Sequence, residues 1–308
     1  MTLLRLATRR SPLALWQAHH VADLLRRDDP ELQVELVEIV TQGDKILDQA
    51  LSRVGGKDLF VKEIEVALLD GRADLAVHSL KDVPTSLPDG LEIAAFPPRE
   101  DPRDAFVSLT HGSIAELPEG ARVGTSSLRR GAQLLAMRPD LKIETIRGNV
   151  QTRLQRMEEQ GMDGTMLAYA GLKRLGMAEH AREVLEPTTM LPAVGQGILA
   201  IEVRSEDAAT KARVERLEDP AARAAAVGER GFLRRLEGGC QVPIAAHTFR
   251  EDGDIIRLAG LVSSLDGRTQ FTGERRGPAS SSEALGIDLA EELLGQGAGA
   301  VLAELKGA

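Results

Sequence analysis

The strongest constraint on the fold is an alternation of short apolar strand patterns with amphipathic helical patterns. Residues 3–7 predict a strand, and Ser11 followed by Pro12 predicts the start of a helix. A hydroxyl at the N-cap and a proline at the first helical position are both favoured there. Further strand patterns occupy residues 32–40 and 74–78, with a helical pattern between them. Because alternating strands and helices build βαβ units, we expect an α/β fold with mostly parallel sheets.

The same alternation restarts after a break at Pro97 and Pro98. From about residue 216 it changes, because an alanine-rich helical pattern is followed by three strand patterns that short Asp-Gly turns connect. Successive strands with such turns indicate an antiparallel sheet. We therefore expect a second α/β unit and then a separate α+β domain with a three-stranded antiparallel sheet. The predicted strands of the second unit are residues 121–124, 142–146 and 165–168, and its predicted helices are residues 127–137 and 150–160.

The composition excludes several classes of function. The chain has 38 Lys and Arg against 47 Asp and Glu, a net charge of −9, and only 3% aromatic residues, which argues against a nucleic-acid partner. Cys240 is the only cysteine, so a disulfide within the chain and a thiolate zinc cluster are excluded. The six histidines show no metal-binding spacing, and we expect no metal. There is no apolar run of about 18 residues, and the basic first ten residues are too short for a signal sequence. We therefore expect a cytoplasmic protein without a membrane partner.

Three predicted strand-to-helix junctions carry hydroxyl, amide and guanidinium side chains, at residues 8–11, 124–130 and 147–153. Helix N-termini present free N–H groups and a partial positive charge, and arginine adds a planar fork that matches carboxylate or phosphate. Such junctions lie at the carboxyl ends of strands, where α/β sheets bind ligands. Together they predict a site for a ligand with several negative groups. The alternative, that these residues only cap helices in a chain with 30 arginines, stays open.

Two further features suit chemistry. Lys81 and Asp82 follow a predicted strand and precede Pro84, and a carboxylate beside a cation can stabilise a developing positive charge or move a proton. The alternative is an aspartate that caps its own loop. Cys240 follows two glycines in a predicted loop, which leaves its thiol reachable. The alternative is a buried thiol that packs as a small apolar side chain.

Five motifs along the chain resemble those of the porphobilinogen deaminase family. They are ATRRSPLALWQA at residues 7–18, HSLKDVP at 78–84, VGTSSLRR at 123–130, LPAVGQG at 191–197 and EGGCQVP at 237–243. The resemblance runs in order over essentially the whole chain. It implies an enzyme that joins four porphobilinogen molecules head to tail, with loss of ammonia, into hydroxymethylbilane. It also implies a dipyrromethane primer that a thioether holds to the protein.

The resemblance implies a domain organisation as well. We expect two doubly wound α/β lobes like those of periplasmic binding proteins and a C-terminal α+β domain. The first lobe comprises residues 1–97 with 198–215, the second lobe residues 98–197, and the C-terminal domain residues 216–308. A monomer is the family expectation.

Particular residues match the family's functional positions. Cys240 matches the thioether anchor of the dipyrromethane, and Asp82 matches the catalytic carboxylate that stabilises the cation left when ammonia departs. Lys57 and Phe60 match a loop that covers the cleft, where Asp58 replaces the glycine common in the family. The positions that match binding partners of the pyrrole carboxylates are Arg9, Ser11, Lys81, Thr125, Ser126, Ser127, Arg129, Arg130, Arg147, Asn149, Arg153 and Arg174.

A two-lobed anion-binding module without catalysis, such as a solute-binding protein or the effector domain of a regulator, is the alternative function. It would share the fold and the arginine-bearing junctions. It would have no use for Cys240 as an anchor or for Asp82 as a catalytic group, so these two residues discriminate between the functions.

Overall fold

A computed structural model describes residues 3–42, 61–237 and 242–307 of the 308-residue chain. In chain order, the described strands are β1 (Leu3–Arg9), β2 (Gln33–Ile39), β3 (Leu75–Ser79), β4 (Leu91–Ala95), β5 (Asp104–Val107), β6 (Arg122–Gly124), β7 (Lys142–Glu144), β8 (Gly164–Ala168), β9 (Ala181–Leu185), β10 (Leu199–Arg204), β11 (Ile244–Arg250), β12 (Ile255–Ser263) and β13 (Gln270–Pro278). The described α-helices are α1 (Pro12–Asp28), α2 (Lys62–Leu69), α3 (Leu128–Met137), α4 (Val150–Glu159), α5 (Tyr169–Arg174), α6 (Ala208–Val214), α7 (Pro220–Arg235), α8 (Ser282–Leu293) and α9 (Gly299–Gly307).

The chain divides into two compact units. The first comprises Met1–Glu100 with Gly197–Arg223, and the second comprises Asp101–Gln196 with Ala224–Ala308. The limits of the three predicted domains stay a prediction. Among the described residues, no helix combines the length and the apolar character that a membrane span requires.

The first unit is built on a mixed sheet with the strand order β2-β1-β3-β10-β4. β1 is parallel to both β2 and β3, whereas β10 is antiparallel to β3 and β4. Of the five strands described in this sheet, four therefore run in one direction and β10 runs in the other, so the prediction of a mostly parallel sheet is confirmed. A buried strand has the same apolar pattern in either direction, so the pattern could not reveal that β10 runs the opposite way.

The second unit contains a sheet with the same arrangement, in the order β7-β6-β8-β5-β9. β6 is parallel to β7 and β8, and β5 is antiparallel to β8 and β9. β5 was not predicted, because only four residues form it and the charged stretch 99–104, which includes its first residue, resembles a break. β9 was not predicted either, because its five residues, AREVL, place two adjacent charged side chains among apolar ones and show no strand period.

Helices cover both faces of each of these sheets. In the first unit, Val21 of α1 packs on one face beside Leu6 and Ile201, whereas Ile64 of α2 packs on the other beside Ala76. In the second unit, α3 packs through Leu134 on the face that carries Phe106 and Met166, and α4 packs through Met157 on the face that carries Leu167. Burial of these apolar faces on both sides stabilises a doubly wound sheet.

The C-terminal residues of the second unit form an antiparallel sheet in the order β11-β12-β13. Its apolar face packs on α7 and α8, where Phe232, Leu258 and Leu289 form one buried cluster. Two turns of Asp and Gly connect strands of this sheet region, as the sequence predicted. The expected fold class is thus confirmed: two doubly wound α/β sheets and a C-terminal three-stranded antiparallel sheet.

Candidate active site

In the first unit, the residues predicted to bind ligand follow the carboxyl ends of β1 and β3. These strands are parallel, with Ala7 opposite Ala76, so both end at the same edge of the sheet. Arg9 is the last residue of β1. Ser11 caps α1, because its side chain accepts a hydrogen bond from the backbone N–H of Ala14 at 3.3 Å. The predicted N-cap is therefore confirmed, and the free N–H groups of the first turn of α1 lie at this edge.

Lys81 and Asp82 lie in a 3₁₀ turn, Leu80–Asp82, that follows β3 directly. The turn is anchored at both ends, since the N–H of Leu80 donates to the carbonyl of Ile198 at 2.9 Å and the N–H of Val83 donates to that of Leu80 at 3.1 Å. Leu80 and Val83 are buried, whereas the side chain of Asp82 is exposed. A carboxylate on a fixed turn is preorganised to act on a bound ligand.

In the second unit, the carboxyl ends of the parallel strands β6, β7 and β8 lie at one edge. Ser127 follows β6 and caps α3, and Asn149 follows β7 and caps α4. The cap on α4 is the better formed, because Asn149 Oδ1 accepts from the N–H of Thr152 at 2.8 Å and from its hydroxyl at 2.9 Å. The cap at Asn149, directly before the predicted helix 150–160, is confirmed, whereas the predicted helix 127–137 begins one residue later and Ser127 is its cap. Arg174 ends α5, the helix that follows β8, and it is buried.

The hydroxyl groups after β6 already have partners in the protein. Ser126 donates its hydroxyl to the carbonyl of Ile146 at 2.5 Å. Thr125 Oγ1 accepts from the N–H of Ser127 at 3.1 Å. The hydroxyl proton of Ser126 is thus engaged, and Ser126 can donate to a carboxylate only after its hydroxyl turns away from Ile146, while the hydroxyl proton of Thr125 remains available to a carboxylate.

Arg129 and Arg130 are buried against Asp104, the first residue of β5. Asp104 Oδ2 accepts from Arg129 Nη1 at 2.7 Å, and Oδ1 accepts from Arg130 Nε at 2.9 Å and Nη2 at 2.7 Å. Burial raises the pKa of Asp104, but the charges of Arg129 and Arg130 outweigh it and lower that pKa below its ordinary value. Burial lowers the pKa of Arg130, an effect that the charge of Asp104 opposes.

The arginines that follow β7 differ in how they are held. Arg153 donates from Nε to the carbonyl of Gly148 at 2.8 Å. Arg147 is half-buried, and its Nη1 has no hydrogen-bond partner among the described residues although that atom is buried. Gly148 has φ of 114°, and a Cβ there would lie 2.6 Å from Cγ2 of Thr152, so the turn that presents Arg147 requires glycine.

Two buried residues of this region were missed in the sequence. They are Asp104 and Gln196, whose Nε2 donates to Asp104 Oδ1 at 2.9 Å and to the carbonyl of Pro102 at 2.7 Å. A signal for an acidic partner did exist, because two adjacent arginines on a largely apolar helix need a carboxylate when they are buried. The sequence offers 47 acidic candidates for that partner and no local pattern that selects Asp104.

Four predicted residues lie outside the described part of the chain: Cys240 and the loop residues Lys57, Asp58 and Phe60. Among residues 3–42, 61–237 and 242–307, no group of three or more His, Cys, Asp or Glu side chains is arranged to hold a metal ion.

Two family models match the chain. The model described as "Porphobilinogen deaminase, dipyromethane cofactor binding domain" matches residues 4–212. The model described as "Porphobilinogen deaminase, C-terminal domain" matches residues 224–295.

The chain is also similar to solved structures of binding proteins. One is the methionine binding protein MetQ, with 14% identity, a TM-score of 0.47, and coverage of 74% of this chain and 94% of that chain. Another is a nutrient binding protein from Burkholderia cenocepacia bound to methionine, with 15% identity, a TM-score of 0.44, and coverage of 71% and 93%. A third is a putative methionine-binding lipoprotein from Bacillus subtilis, with 15% identity, a TM-score of 0.42, and coverage of 70% and 90%.

Proposed function

The chain belongs to the porphobilinogen deaminase family, and from that premise we propose which of its residues carry the family's reaction. The reaction is that of a hydroxymethylbilane synthase, a transferase of tetrapyrrole biosynthesis that joins four porphobilinogen molecules head to tail with loss of ammonia. Its cofactor is dipyrromethane, because residues 4–212 match the domain that binds it. The match over both domains is the observation that carries this function. A binding module without catalysis, the alternative above, has no such support.

The donors at the sheet edge of each unit, taken separately, suit carboxylate groups. Porphobilinogen carries an acetate and a propionate, so the two pyrroles of the cofactor carry four carboxylates. Ser127 and Asn149 mark helix N-termini with free N–H groups, and the buried Nη1 of Arg147 lacks a partner in the described part of the chain. An unpartnered buried guanidinium N–H is costly, and a ligand carboxylate would remove that cost. We assign these residues, with Arg9, Ser11, Lys81, Thr125, Ser126, Arg129, Arg130, Arg153 and Arg174, to carboxylate binding.

Asp82 is the proposed catalytic residue. Its carboxylate is exposed on an anchored turn, and Lys81 lies beside it in the same turn. When ammonia leaves, positive charge develops on the substrate pyrrole, and a fixed carboxylate near the pyrrole N–H stabilises that charge. The same carboxylate then accepts the proton lost when the new carbon–carbon bond forms. When bound, the dipyrromethane supplies the nucleophilic pyrrole carbon to which the next unit is joined.

Cys240 is the proposed anchor of the cofactor. It is the only thiol in the chain, and a thioether to a pyrrole methylene requires a sulfur nucleophile. The loop residues Lys57 and Phe60 are proposed to cover the bound substrate, as the resemblance implies. We also propose that the enzyme acts as a monomer in the cytoplasm, with porphobilinogen as its small-molecule partner and without nucleic acid or membrane.

Intact-mass measurement of the purified protein tests the cofactor and its anchor together. The wild-type chain should be heavier than its polypeptide by two pyrrole units, and the Cys240→Ser variant should show the bare mass. Incubation of the wild type with porphobilinogen should release ammonia. An active wild-type preparation with the bare polypeptide mass would contradict the assignment, and so would a Cys240→Ser variant that retains the added mass.

A further inference from the structure

We propose that Asp104 is a positioning residue, which holds Arg129 and Arg130 in the geometry that receives a ligand carboxylate. The inference rests on the proposed role of Arg129 in carboxylate binding and extends it to a residue outside the family motifs quoted above. Asp104 starts β5, opposite Ala168 at the end of β8, so it lies at the edge of the second-unit sheet where Ser127 caps α3.

The carboxylate of Asp104 is fully buried, and its two oxygens are divided between the two arginines. Oδ2 accepts from Arg129 Nη1, whereas Oδ1 accepts from Arg130 Nε and Nη2 and from Nε2 of Gln196, all at 2.7–2.9 Å. Hydrogen bonds between ionised groups at such distances are the strong ones, and they fix both guanidinium planes. The arginine side chains therefore lose their rotamer freedom before a ligand arrives, which lowers the cost of binding.

The two arginines differ in the guanidinium nitrogens that remain for a ligand carboxylate. Arg130 uses all three of its nitrogens, because Nη1 donates to the carbonyl of Met166 at 3.0 Å in addition to the bonds with Asp104. Arg129 uses Nη1 for Asp104 and for the carbonyl of Leu191, at 2.7 Å each. Its Nε is buried without a partner among the described residues. Nε and Nη2 form one edge of the guanidinium, and that edge suits a bidentate carboxylate.

Charge balance gives Asp104 a second effect. Two adjacent buried guanidinium groups repel each other, and burial of an uncompensated charge is expensive. One carboxylate compensates one of the two positive charges, so the trio of Asp104, Arg129 and Arg130 retains a single positive charge. A ligand carboxylate that binds the open edge of Arg129 would neutralise the group completely. Asp104 thereby sets the capacity of this site at one carboxylate.

Hydrogen bonds of the same network also hold the segment Leu191–Gln196 in place within the second unit. Gln196 donates to Asp104, and the carbonyl of Leu191 accepts from both Arg129 Nη1 and Gln133 Nε2. Gln133 also accepts from the N–H of Leu191 at 2.7 Å. Loss of the Asp104 charge should therefore loosen this segment together with the arginines.

The test compares Asp104→Asn with wild type and with a control at the other end of α3. The control is Asp140→Asn, which removes an ion pair to Arg138 that is about one-quarter exposed. We measure the fraction of purified chains that carry the two-pyrrole mass, the KM for porphobilinogen and kcat. In Asp104→Asn the cofactor-loaded fraction should fall and KM should rise roughly tenfold or more, while kcat of the loaded chains changes less than about threefold. The control should match wild type. An Asp104→Asn variant with wild-type loading and KM would overturn the inference.

A second variant covers the case in which Asp104→Asn does not fold. Asp104→Asn combined with Arg130→Gln removes one charge of each sign, so its melting temperature should exceed that of Asp104→Asn alone, while KM stays raised. A double variant that also fails to fold, or that binds like wild type, would overturn the inference. Failure of the proposed function looks different, because then the wild type itself lacks the two-pyrrole mass.

Discussion

Nε2 of His78 lies 2.8 Å from Oε2 of Glu202, and both side chains are buried in the first unit. His78 is on β3 and Glu202 is on β10, which pair as antiparallel neighbours. The contact therefore joins β10 to the strand whose end carries the turn with Lys81 and Asp82. Removal of one side chain of such a buried pair is costly, because the other polar group stays buried without the hydrogen bond that compensates for its desolvation.

Removal of the Glu202 carboxylate should destabilise the protein. Glu202→Ala leaves the ring nitrogen of His78 buried without its partner and opens a cavity, so the free energy of unfolding should fall by about 3 kcal/mol. Glu202→Gln retains the volume and an oxygen acceptor and should cost less. Urea unfolding measures both variants. The control is Glu38→Ala, whose ion pair with Arg10 is exposed and whose effect should stay within about 0.5 kcal/mol. Equal effects of Glu202→Ala and Glu38→Ala would contradict this account.

Asp82→Asn should separate catalysis from stability. Because the side chain is exposed, the variant should unfold within about 0.5 kcal/mol of wild type. Turnover of porphobilinogen should fall by roughly 10²–10³-fold, since the fixed charge that stabilises the developing cation is lost. Asp89→Asn, at another exposed aspartate of the first unit, is the matched control and should keep wild-type turnover. Near-normal turnover in Asp82→Asn would remove Asp82 from its proposed role.

Asn149 has two proposed roles that substitutions can separate. Asn149→Ala removes the cap on α4 and should cost about 1 kcal/mol of stability. Asn149→Asp restores the cap, because a carboxylate accepts from the N–H of Thr152 and is favoured at a helix N-terminus. It also places a negative charge where ligand carboxylates are proposed to bind, so KM for porphobilinogen should rise although stability recovers. If Asn149→Asp restores stability and leaves KM unchanged, Asn149 is a helix cap and no more.

Local signals explain which elements could be predicted. Helix α1 was predicted from Ser11 onward because capping and proline preferences act within a few residues, and it begins at Pro12 as expected. The C-terminal strands were predicted because each is long and turns separate them; β12, for example, spans Ile255–Ser263. The reversed direction of β10 and the short strand β5 could not be predicted, since both depend on contacts with strands distant in the sequence.

In the candidate site too, local features could be predicted from the sequence and long-range contacts could not. The strand-to-helix junctions that carry Ser127 and Asn149 were predicted from local patterns, and in the structure both residues cap the helices that follow. The partner of Arg129 lies 25 residues earlier in the chain, at the start of a strand that the sequence did not reveal. Burial of both arginines follows from that long-range pairing. Residue type and spacing therefore predicted where anion donors lie, whereas the way in which they are held required the three-dimensional arrangement.

Asp74 should make the stability of the protein depend on acid pH. Burial raises its pKa, but hydrogen bonds from Arg5 and Arg204 outweigh that effect and lower the pKa below its ordinary value. Because the pKa is lower in the folded state, the ionised form favours folding. This contribution is present above the unfolded pKa of about 3.9 and is lost as pH falls through the folded pKa. The stability difference between wild type and Asp74→Asn should therefore shrink as pH falls from 6 to about 3. Urea unfolding at several pH values measures it, and a constant difference would contradict the assignment.

Two glycines in equivalent turns of the C-terminal sheet offer a test of how that sheet contacts α3. Gly253 and Gly267 both have positive φ, 67° and 72°. A Cβ on Gly253 would meet no atom within 4 Å, whereas a Cβ on Gly267 would lie 2.2 Å from the carbonyl oxygen of Ala132 and 2.7 Å from the N of Ala136. The turn at Gly267 therefore approaches the backbone of α3 more closely than any side chain allows.

Gly253→Ala should cost about 1 kcal/mol, from the left-handed backbone alone. Gly267→Ala carries the same backbone cost and must also displace α3, which should add about 2 kcal/mol or more. Because α3 presents Arg129 at its N-terminal end, the displacement should also raise KM for porphobilinogen, while Gly253→Ala leaves KM unchanged. Urea unfolding and steady-state kinetics on the two variants measure these effects. Equal losses of stability in both variants would show that the close contact with α3 does not hold the turn in place.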